Sequence, residues 1–318
     1  MAGTFSGLEI ASRALQANQS VIDVIGHNIS NVNTPDYTRE VAQVQATDPY
    51  LSNVPGLPTI SYGTGVHVSS VDRIRDAFVE RRLNDAIANQ GQYRQLDDTL
   101  TRVQAAYNEP GDAGLNNAMS TFFNSFQDVS RQPESTGPRT LVQHYADDLA
   151  QKFRTVYSTL SGSSLDITER VRAMVVQVND LAHQIGTLNV EVSKSISVGG
   201  QSNDLQDRRD SLVREMSKLV GVTVVEESDG TGKKTGSVNL SVGGVPLVQG
   251  GTVVEVPDKF GTVRGQAVLL NGTDPLPVHS GELGGLIQSN NQVRSYMADL
   301  NKVAATLITA VNKQHAAG

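Results

Sequence analysis

Residues 8–39, which read LEIASRALQANQSVIDVIGHNISNVNTPDYTR, decide how this chain is organised. The first part carries a stripe of residues that step by three and four positions, namely Leu8, Ala11, Leu15, Asn18, Ile22, Ile25 and Ile29. That spacing is typical of the a/d seam of a coiled coil, so it predicts a helix from Thr4 to Ser30. Residues 28–35 then end the helix, because Asn, Ser and Thr side chains compete for backbone hydrogen bonds and Pro35 cannot continue it.

The stripe needs a covering surface, and a helix so close to the first residue has nothing local to bury it against. One interpretation is an N-terminal helix docked on its own domain. The other is a helix reserved for another helix, either far away in the chain or in a neighbouring subunit. The pattern by itself leaves these alternatives open.

The composition excludes several classes of protein. At 318 residues the chain is long enough for two or three domains with a sizeable core. Aromatic residues make up 5% with no Trp, which suits long helices better than an aromatic-lined enzyme pocket. A formal net charge of −7 argues against nucleic-acid binding, and the lack of Cys excludes disulfides, thiolate chemistry and Cys-ligated metals. The sequence shows neither a cleavable signal peptide nor an apolar run long enough to span a membrane.

Non-helical and helical patterns follow one another after the first helix. Residues 32–72 predict a loop with one or two short strands, over Arg39–Thr47 and Gly65–Val71, because prolines at 35, 49, 55 and 58 break any helix. A helix is predicted from Arg73 to Tyr107, ending at Glu109-Pro110-Gly111. The seam in its second half consists of Leu96, Leu100, Val103 and Tyr107.

Two more helices are predicted in the middle of the chain. Leu115–Arg131 carries a one-sided cluster that we expect in the core, formed by Met119, Phe122, Phe123 and Phe126. The next helical region runs from about Arg139 to Ser197 after Pro138, with a break suggested at residues 161–164. Three heptads of strict spacing in its second part predict a rod-like helix packed in a bundle or coiled coil. They are marked by Val171, Met174, Val178, Leu181, Ile185, Leu188 and Val192.

The pattern changes to period two after a helix predicted over Asn203–Val220. Strands are predicted at 222–225, 237–242, 253–256 and 266–270. Turn dipeptides separate them, at Asp229-Gly230, Gly243-Gly244, Gly250-Gly251 and Asn271-Gly272. A last helix is predicted from about Glu282 to His315, with a seam of Met297, Leu300, Ala304, Leu307 and Val311.

These patterns predict a mainly α fold. It is a long-helix bundle or coiled coil with an N-terminal helix, an extended loop with short strands, and a small inserted β domain. We divide the chain into an assembly segment of helix and linker (1–72), a helical domain (73–220), the inserted β domain (221–279) and a helix returning to the helical domain (280–318).

The sequence offers no catalytic, cofactor-binding or metal-ligating constellation. Gly63-Thr64-Gly65 lacks the strand–turn–helix context of a nucleotide site. Lys233-Lys234 sits in a hairpin turn, and Glu227 stands where a phosphate loop needs its first Gly. His183 has no second His or carboxylate at metal-ligand spacing, so we expect it to be packed or solvated.

Residues 28–39, preceded by Ser6-Gly7-Leu8, resemble the signature of the flagellar rod, hook and hook-associated axial proteins. That family's motif usually reads N-I-A-N-x-N-T-P-G-Y-S-R, and this chain departs from it at Ser30, Asp36 and Thr38. The Asp36 departure matters most, because Gly there would permit a positive φ. Asp tolerates that conformation better than most residues.

Within the family, the rest of the chain is similar to the hook-associated protein 1 group. The similar segments are 114–119, 122–129 with Pro133, 205–213 with Arg208 where Gln is common, 217–220, 280–287 and 300–312 with His315 and Gly318. Members of that group continue beyond this point to a C-terminal helix that pairs with the N-terminal one. The resemblance therefore implies a fragment, whose first helix is splayed or poorly ordered in isolation.

The resemblance implies a structural subunit at the hook–filament junction of a bacterial flagellum, with no enzymatic activity, cofactor or metal. It further implies export without a cleavable signal peptide, an extracellular location, and self-association in a ring. The hook protein would lie below, a second hook-associated protein above, and the export apparatus and its chaperone would be earlier partners; no nucleic acid or membrane would be bound. The implied assembly interface consists of Leu8, Ala11, Leu15, Ile22, Ile25, Asn28, Ile29, Asn31, Asn33, Pro35, Tyr37 and Arg39.

Two alternatives stay beside this hypothesis. One is a sibling hook or distal rod subunit, against which the middle segments argue. The other is a cell-wall glycosidase, which needs two facing carboxylates that the sequence does not mark out.

Overall fold

Helices dominate the computed structural model, which describes residues 5–52, 59–109, 111 and 113–317. The helices within these residues are α1 (Ser6–Ser30), α2 (Ala77–Tyr107), α3 (Leu115–Arg131), α4 (Thr136–Ser197), α5 (Asn203–Leu219) and α6 (Gly281–Ala316). With the short antiparallel sheets described next, they confirm the predicted mainly α fold. Some residues named in the predictions lie outside the described ones: Thr4, Pro55, Pro58, Pro110 and Gly318.

Eleven strands lie in the same described residues and pair in four antiparallel sheets. The strands are β1 (Glu40–Ala46), β2 (Tyr50–Ser52), β3 (Ile60–Tyr62), β4 (Val66–Arg73), β5 (Thr223–Ser228), β6 (Lys234–Val242), β7 (Val245–Gln249), β8 (Thr252–Val253), β9 (Phe260–Val263), β10 (Gln266–Asn271) and β11 (Asp274–Leu276). The sheets have the orders β1-β4, β2-β3, β5-β6-β7-β8 and β11-β10-β9.

The linker after α1 is more regular than predicted. Strands β1 and β4 fall where alternation predicted them and pair as a ribbon from Glu40–Arg73 to Ala46–Val66. The limit of one or two strands is wrong, since β2 and β3 add a second ribbon. Their three-residue length is too short for period two to be recognised in the sequence.

Helix α2 begins four residues later than predicted, because Arg73 belongs to β4. Asp76 caps the helix and accepts hydrogen bonds from the amides of Phe78 and Val79, at 2.8 and 3.2 Å. Asn108 ends it with a left-handed φ of 52°.

Helix α4 runs without interruption for 62 residues, about 93 Å at 1.5 Å per residue. The break suggested at residues 161–164 is wrong. Leu160 and Ile167 are buried on either side of it, so packing overrides the weak helix preference of the Ser and Gly residues there. Pro138 lies in the first turn, where a missing amide proton costs nothing.

The hydrophobic core lies along α4. All seven residues of its predicted seam are buried. Five of them, from Val171 to Ile185, belong to one core cluster with residues of α5, α6 and the strands β6 and β7, such as Met216, Leu286, Leu240 and Val248.

Three residues of the predicted apolar faces are exposed rather than buried, each with 42–48% of its surface accessible. Leu100 of α2 and Phe123 and Phe126 of α3 lie at the surface, although Phe122 is buried. Val103 of the predicted seam is buried in α2, but most of the buried face of this helix consists of small and polar residues, among them Gly91, Gln95 and Thr99. Gly91 is in close contact there, because an added Cβ would lie 2.8 Å from the carbonyl oxygen of Lys218.

The inserted strands follow α5 as predicted, with more strands than the pattern showed. Gly243-Gly244 joins β6 to β7 with positive φ at both residues, as a two-residue hairpin turn requires. The predicted strand at 253–256 shortens to β8, and β7, β9 and β11 were not predicted. The four-segment division of the chain stays a prediction.

Asparagine side chains attach α4 and α6 to backbone groups of the inserted β region. Asn189 of α4 donates to the carbonyl of Val238 at 2.8 Å and accepts from its amide at 3.0 Å. Asn179 makes the same two-point pairing with Val256, and Asn291 of α6 makes it with Ala267. A carboxamide supplies one donor and one acceptor at the spacing of a peptide group, so it satisfies a strand's free backbone groups.

Among the helices of the described residues, none is both long and apolar enough to cross a bilayer.

Candidate assembly interface

The stripe on α1 faces solvent along its whole length. Its large members are half to three-quarters exposed: Leu8 68%, Leu15 71%, Ile22 61%, Ile25 50% and Ile29 68%. Ala11 and Asn18 are exposed as well. An exposed apolar stripe of this length is a feature that monomeric soluble proteins rarely keep uncovered, so it indicates an interaction surface.

The opposite face of α1 is docked on the ribbon of β1 and β4. Ala17 is its buried residue, and Arg13 donates to the carbonyl of Thr64 at 3.2 Å. Gly65 lies beside Ile10 and Arg13 of α1 and has a φ of +113°, a backbone conformation that favours glycine. The expectation of a splayed helix is therefore wrong, because this second face gives α1 a support within the described chain.

Asn28 holds the end of α1 to the start of β1. Its amide donates to the Glu40 carbonyl at 2.8 Å, and its oxygen accepts from the Glu40 amide at 2.8 Å. The Tyr37 hydroxyl donates to the same oxygen at 2.9 Å. Residues 28–39, called the base motif from here on, thus fold back on the helix that they end.

Asn31 ends α1, and some of the residues that follow it in the base motif are exposed. Its backbone amide donates to the His27 carbonyl at 3.1 Å, and its side chain accepts from the Thr34 hydroxyl at 3.1 Å. Asn33, Pro35 and Arg39 are exposed. The interface residues predicted from the motif therefore divide into an internal group and an exposed group.

Asp36 adopts a φ of +65°, the conformation that Gly would permit at this position. Its carboxylate accepts a hydrogen bond from the Ser211 hydroxyl at 2.7 Å and forms an ion pair with Arg214. Both partners belong to α5. The departure from the usual Gly therefore ties the base motif to a helix about 175 residues further on.

A cluster of charged side chains from β4 and α5 adds to this attachment of the base motif. Asp207 accepts from the Thr38 amide at 2.9 Å and from Arg73 at 2.6 Å. Asp210 accepts from Arg73 at 2.9 Å and also pairs with Arg75 and Arg209. Buried pairs of this kind are costly to break, since the partner left behind is an uncompensated charge.

Burial shapes the ionisation of this region. The pKa of Arg209 is lowered to about 10, first by desolvation and then by the positive charges of Arg73 and Arg75. The pKa of Tyr37 is raised, first by desolvation and then by the carboxylates of Glu40, Asp207 and Asp204. The base of α1 therefore brings carboxylates and arginines together where both are partly withdrawn from water.

A second apolar surface lies between α3, α4 and α6. It is an open groove of about 410 Å³ lined by apolar side chains, including Phe122, Leu149, Phe153, Leu307 and Val311. Leu307 and Val311 belong to the predicted seam of the last helix and are half-buried. These two seam residues are therefore partly covered by the neighbouring helices and partly exposed to the groove.

A family model described as the helical domain of the flagellar hook-associated protein FlgK matches residues 100–318, well over half of the chain. The chain belongs to this FlgK family. A second model, described as flagella basal body rod protein, matches residues 8–38. That second match covers the α1 stripe and all of the base motif except its last residue, Arg39.

Relatives of known name agree with that membership. Flagellar hook-associated protein 1 of Bacillus subtilis is 31% identical over 262 residues, which are 81% of this chain and 49% of the relative. Its counterpart from Salmonella typhimurium is 29% identical over 323 residues, 97% of this chain and 56% of the relative. The chain thus spans about half the length of the curated relatives that it matches.

A solved structure is also similar. The flagellar hook junction protein FlgK from Burkholderia pseudomallei superposes with a TM-score of 0.50 at 25% identity. The match covers 66% of this chain and 38% of that one.

Sequence reasoning found the stripe and the base motif but missed the attachment beneath them. Residues 205–213 were recognised only as a similar segment, without a role for Asp207 or Asp210. A usable signal was present, because Asp207, Asp210, Ser211 and Arg214 lie three or four residues apart and so share one face of a helix. What they bind could not be read from α5 itself.

Proposed function

We propose that this FlgK-family chain is a structural subunit of the bacterial flagellum at the hook–filament junction. It joins hook to filament through interfaces between subunits and performs no chemistry. Family membership supports the flagellar role, and the solved relative's title places that protein at the hook junction.

The observation that carries the proposal is the exposed stripe of α1. Five large aliphatic side chains at coiled-coil spacing face solvent, while the opposite face of the helix is fixed to β1 and β4. This arrangement presents the stripe at a set angle to the body, which a partner helix from a neighbouring subunit can cover. Burial of the stripe in the assembled ring would supply the driving force for association.

The remaining interface residues complete the contact in this proposal. Asn28, Asn31 and Tyr37 set the direction in which the chain leaves α1. Asn33, Pro35 and Arg39 are exposed and contact the adjoining subunit.

The chain passes unfolded through the flagellar export apparatus, with its chaperone, and needs no cleavable signal peptide. It folds where it assembles, outside the cell, between the hook protein below and a second hook-associated protein above. An amphipathic helix with an uncovered stripe suits such a route, because part of its stabilisation comes only with assembly.

One alternative has an observation in its favour. The rod-protein model matches residues 8–38, so the α1 region is equally compatible with a hook or distal rod subunit. Immunogold electron microscopy on isolated flagella, with antibody against residues 73–280, separates the two. A narrow band of label between hook and filament is expected; label along the hook or at the rod would favour the sibling role.

The stripe itself is tested by Ile22→Asp. We expect this subunit to stay out of the junction, because a carboxylate would have to be buried against an apolar partner. Its circular dichroism spectrum as a free chain should be unchanged, since Ile22 is 61% exposed. The measurement is the fraction of labelled subunit that is recovered in purified flagella.

Leu165→Asp is the matched control, since Leu165 is an equally exposed aliphatic residue on α4, outside the stripe. It should be incorporated normally. Normal incorporation of Ile22→Asp would contradict the proposed interface.

A further inference from the structure

Three side chains with metal-binding atoms meet at the base of α1. His27 lies in the last turn of α1, Glu40 is the first residue of β1, and Asp204 lies in the first turn of α5. One nitrogen or oxygen from each lies within 4.8 Å of the other two, and His27 Nε2 is 3.4 Å from Asp204 Oδ1. They are 13 and 164 positions apart in the sequence, so no local spacing could have marked them.

Glu40 is the member of this cluster whose carboxylate is available for a ligand. It is only 9% exposed. Its backbone is paired with Asn28, but within the described residues its carboxylate makes no hydrogen bond or ion pair. Within the described residues, its oxygens are not among the fully enclosed unpartnered atoms, so an ion can reach them. A second carboxylate, Asp204, lies beside it and offers a second oxygen ligand.

Within the described residues, neither carboxylate is paired with an arginine or a lysine. Glu40 and Asp204 both contribute to the raised pKa of the neighbouring Tyr37, after desolvation. The nearby arginine Arg73 is already paired with Asp207 and Asp210. The Asn31 amide nitrogen lies 3.4 Å from His27 Nε2, a weak contact that a stronger ligand would replace.

We propose that His27, Glu40 and Asp204 bind one divalent transition-metal ion, of the Zn²⁺ class. An imidazole nitrogen with two carboxylate oxygens is a donor set that Zn²⁺ accepts, with water in the fourth position. Bonds of about 2.0–2.2 Å at tetrahedral angles place neighbouring ligand atoms about 3.4 Å apart, and this is the His27–Asp204 separation. The other two ligand pairs lie within 4.8 Å, so a movement of up to about 1.4 Å brings the third ligand to the same separation.

The bound ion would join three elements that the stripe depends on. It would fix the end of α1 to the β1–β4 ribbon and to α5 at once, next to the attachments made by Asn28 and Asp36. The angle at which α1 presents its stripe would then depend on metal occupancy. The site itself is independent of the proposed function and is testable on the purified chain.

The test is isothermal titration calorimetry with Zn²⁺ on the chelator-treated chain. We expect one equivalent to bind, and His27→Ala, Glu40→Gln and Asp204→Asn each to weaken binding about tenfold or more, as loss of even an outer-shell partner does. Asp204→Asn is the variant least able to disturb folding, because the Asp204 side chain is 77% exposed. The melting temperature should rise with Zn²⁺ in the wild type and not in Glu40→Gln.

His183→Ala is the matched control, because His183 is an exposed histidine 3.1 Å from a carboxylate, Glu255, on another part of the molecule. It should bind Zn²⁺ as the wild type does. Titration with Co²⁺ should also give the absorption of a tetrahedral complex, lost in His27→Ala. Absence of stoichiometric binding, or binding that only His183→Ala removes, would overturn the proposal.

Discussion

The stripes of α1 and α4 share one spacing, yet Ile185 of α4 is fully buried whereas Ile22 of α1 is 61% exposed. The α4 stripe is covered within the chain by α5, α6 and the inserted strands. The α1 stripe has no such cover in the described residues, and the helix rests instead on its other face. Periodicity therefore tells which face of a helix is to be buried, but not which partner buries it.

The two helices also resemble each other in how asparagine side chains attach them to neighbouring strands. Asn189 of α4 and Asn28 of α1 each pair with both backbone groups of one strand residue. In α4 this pairing adds to an apolar contact that already fixes the helix. In α1 the polar pairings, with Asp36 and Arg214, supply much of the attachment. The attachment of α4 therefore forms part of the core, whereas the attachment of α1 holds the helix so that its stripe stays exposed.

The largest expected difference between the two stripes is in stability. Ile185→Ala should lower the free energy of unfolding by about 2–5 kcal/mol, because it leaves a cavity in a packed core. Ile22→Ala should change it by less than about 0.5 kcal/mol, as exposed substitutions do. Urea denaturation of the free chain measures both. An equal loss for Ile22→Ala would mean that the α1 stripe is covered in the free chain.

A smaller difference is expected between the two asparagines. Asn189→Ala should lower the global free energy of unfolding by about 1–3 kcal/mol, because backbone groups of Val238 and Gly250 would lose their hydrogen-bond partner. Asn28→Ala should leave the global transition nearly unchanged. It should instead speed hydrogen exchange of the Glu40 amide, which would lose its acceptor.

The exposed Asn18 gives the control for this pair, since Asn18→Ala should alter neither measurement. If Asn28→Ala lowered global stability as much as Asn189→Ala, α1 would be part of the cooperative core, and the contrast drawn here would fail.

The smallest effect concerns pH at the base of α1. Because the pKa of Tyr37 is raised above its usual 10.0, the folded state favours the protonated phenol. Its contribution to stability is fully present below pH 10 and is lost as the pH rises through the folded value. The apolar α4 stripe has no such dependence.

Phenolate absorbance measures this effect. The difference between wild type and Tyr37→Phe should show a tyrosine that ionises above pH 10. Ionisation at or below the usual value would mean that the Tyr37 hydroxyl is not held by Asn28 among carboxylates.

Elements with a long, regular pattern were predictable. The α4 seam, the limits of α3, the paired turn glycines and the position of the inserted strands all follow from local spacing. Leu100, Phe123 and Phe126 were not, because an apolar side chain on a helix has no preference for one neighbour until the bundle is formed. The strands β2, β9 and β11 were too short for their alternation to be distinguished from loop sequence.

The base of α1 also has features that the sequence could predict and features that it could not. The base motif and the positive φ at Asp36 could be inferred from residue types. Its partners could not, since Asp207, Ser211 and Arg214 lie on α5, far along the chain. The same holds for the His27–Glu40–Asp204 cluster.

By itself, the sequence determined most of the helices and the longer strands, and that residues 8–29 carry an apolar face suited to burial. The physical reason is that backbone preferences and side-chain period act between near neighbours. Only the tertiary structure decided that α4 buries its stripe and α1 does not, and that the base motif is fastened to α5. Such pairings join residues as far apart as 49 positions, for Asn189 and Val238, and 175 positions, for Asp36 and Ser211. They therefore depend on how the whole chain packs and not on any one segment.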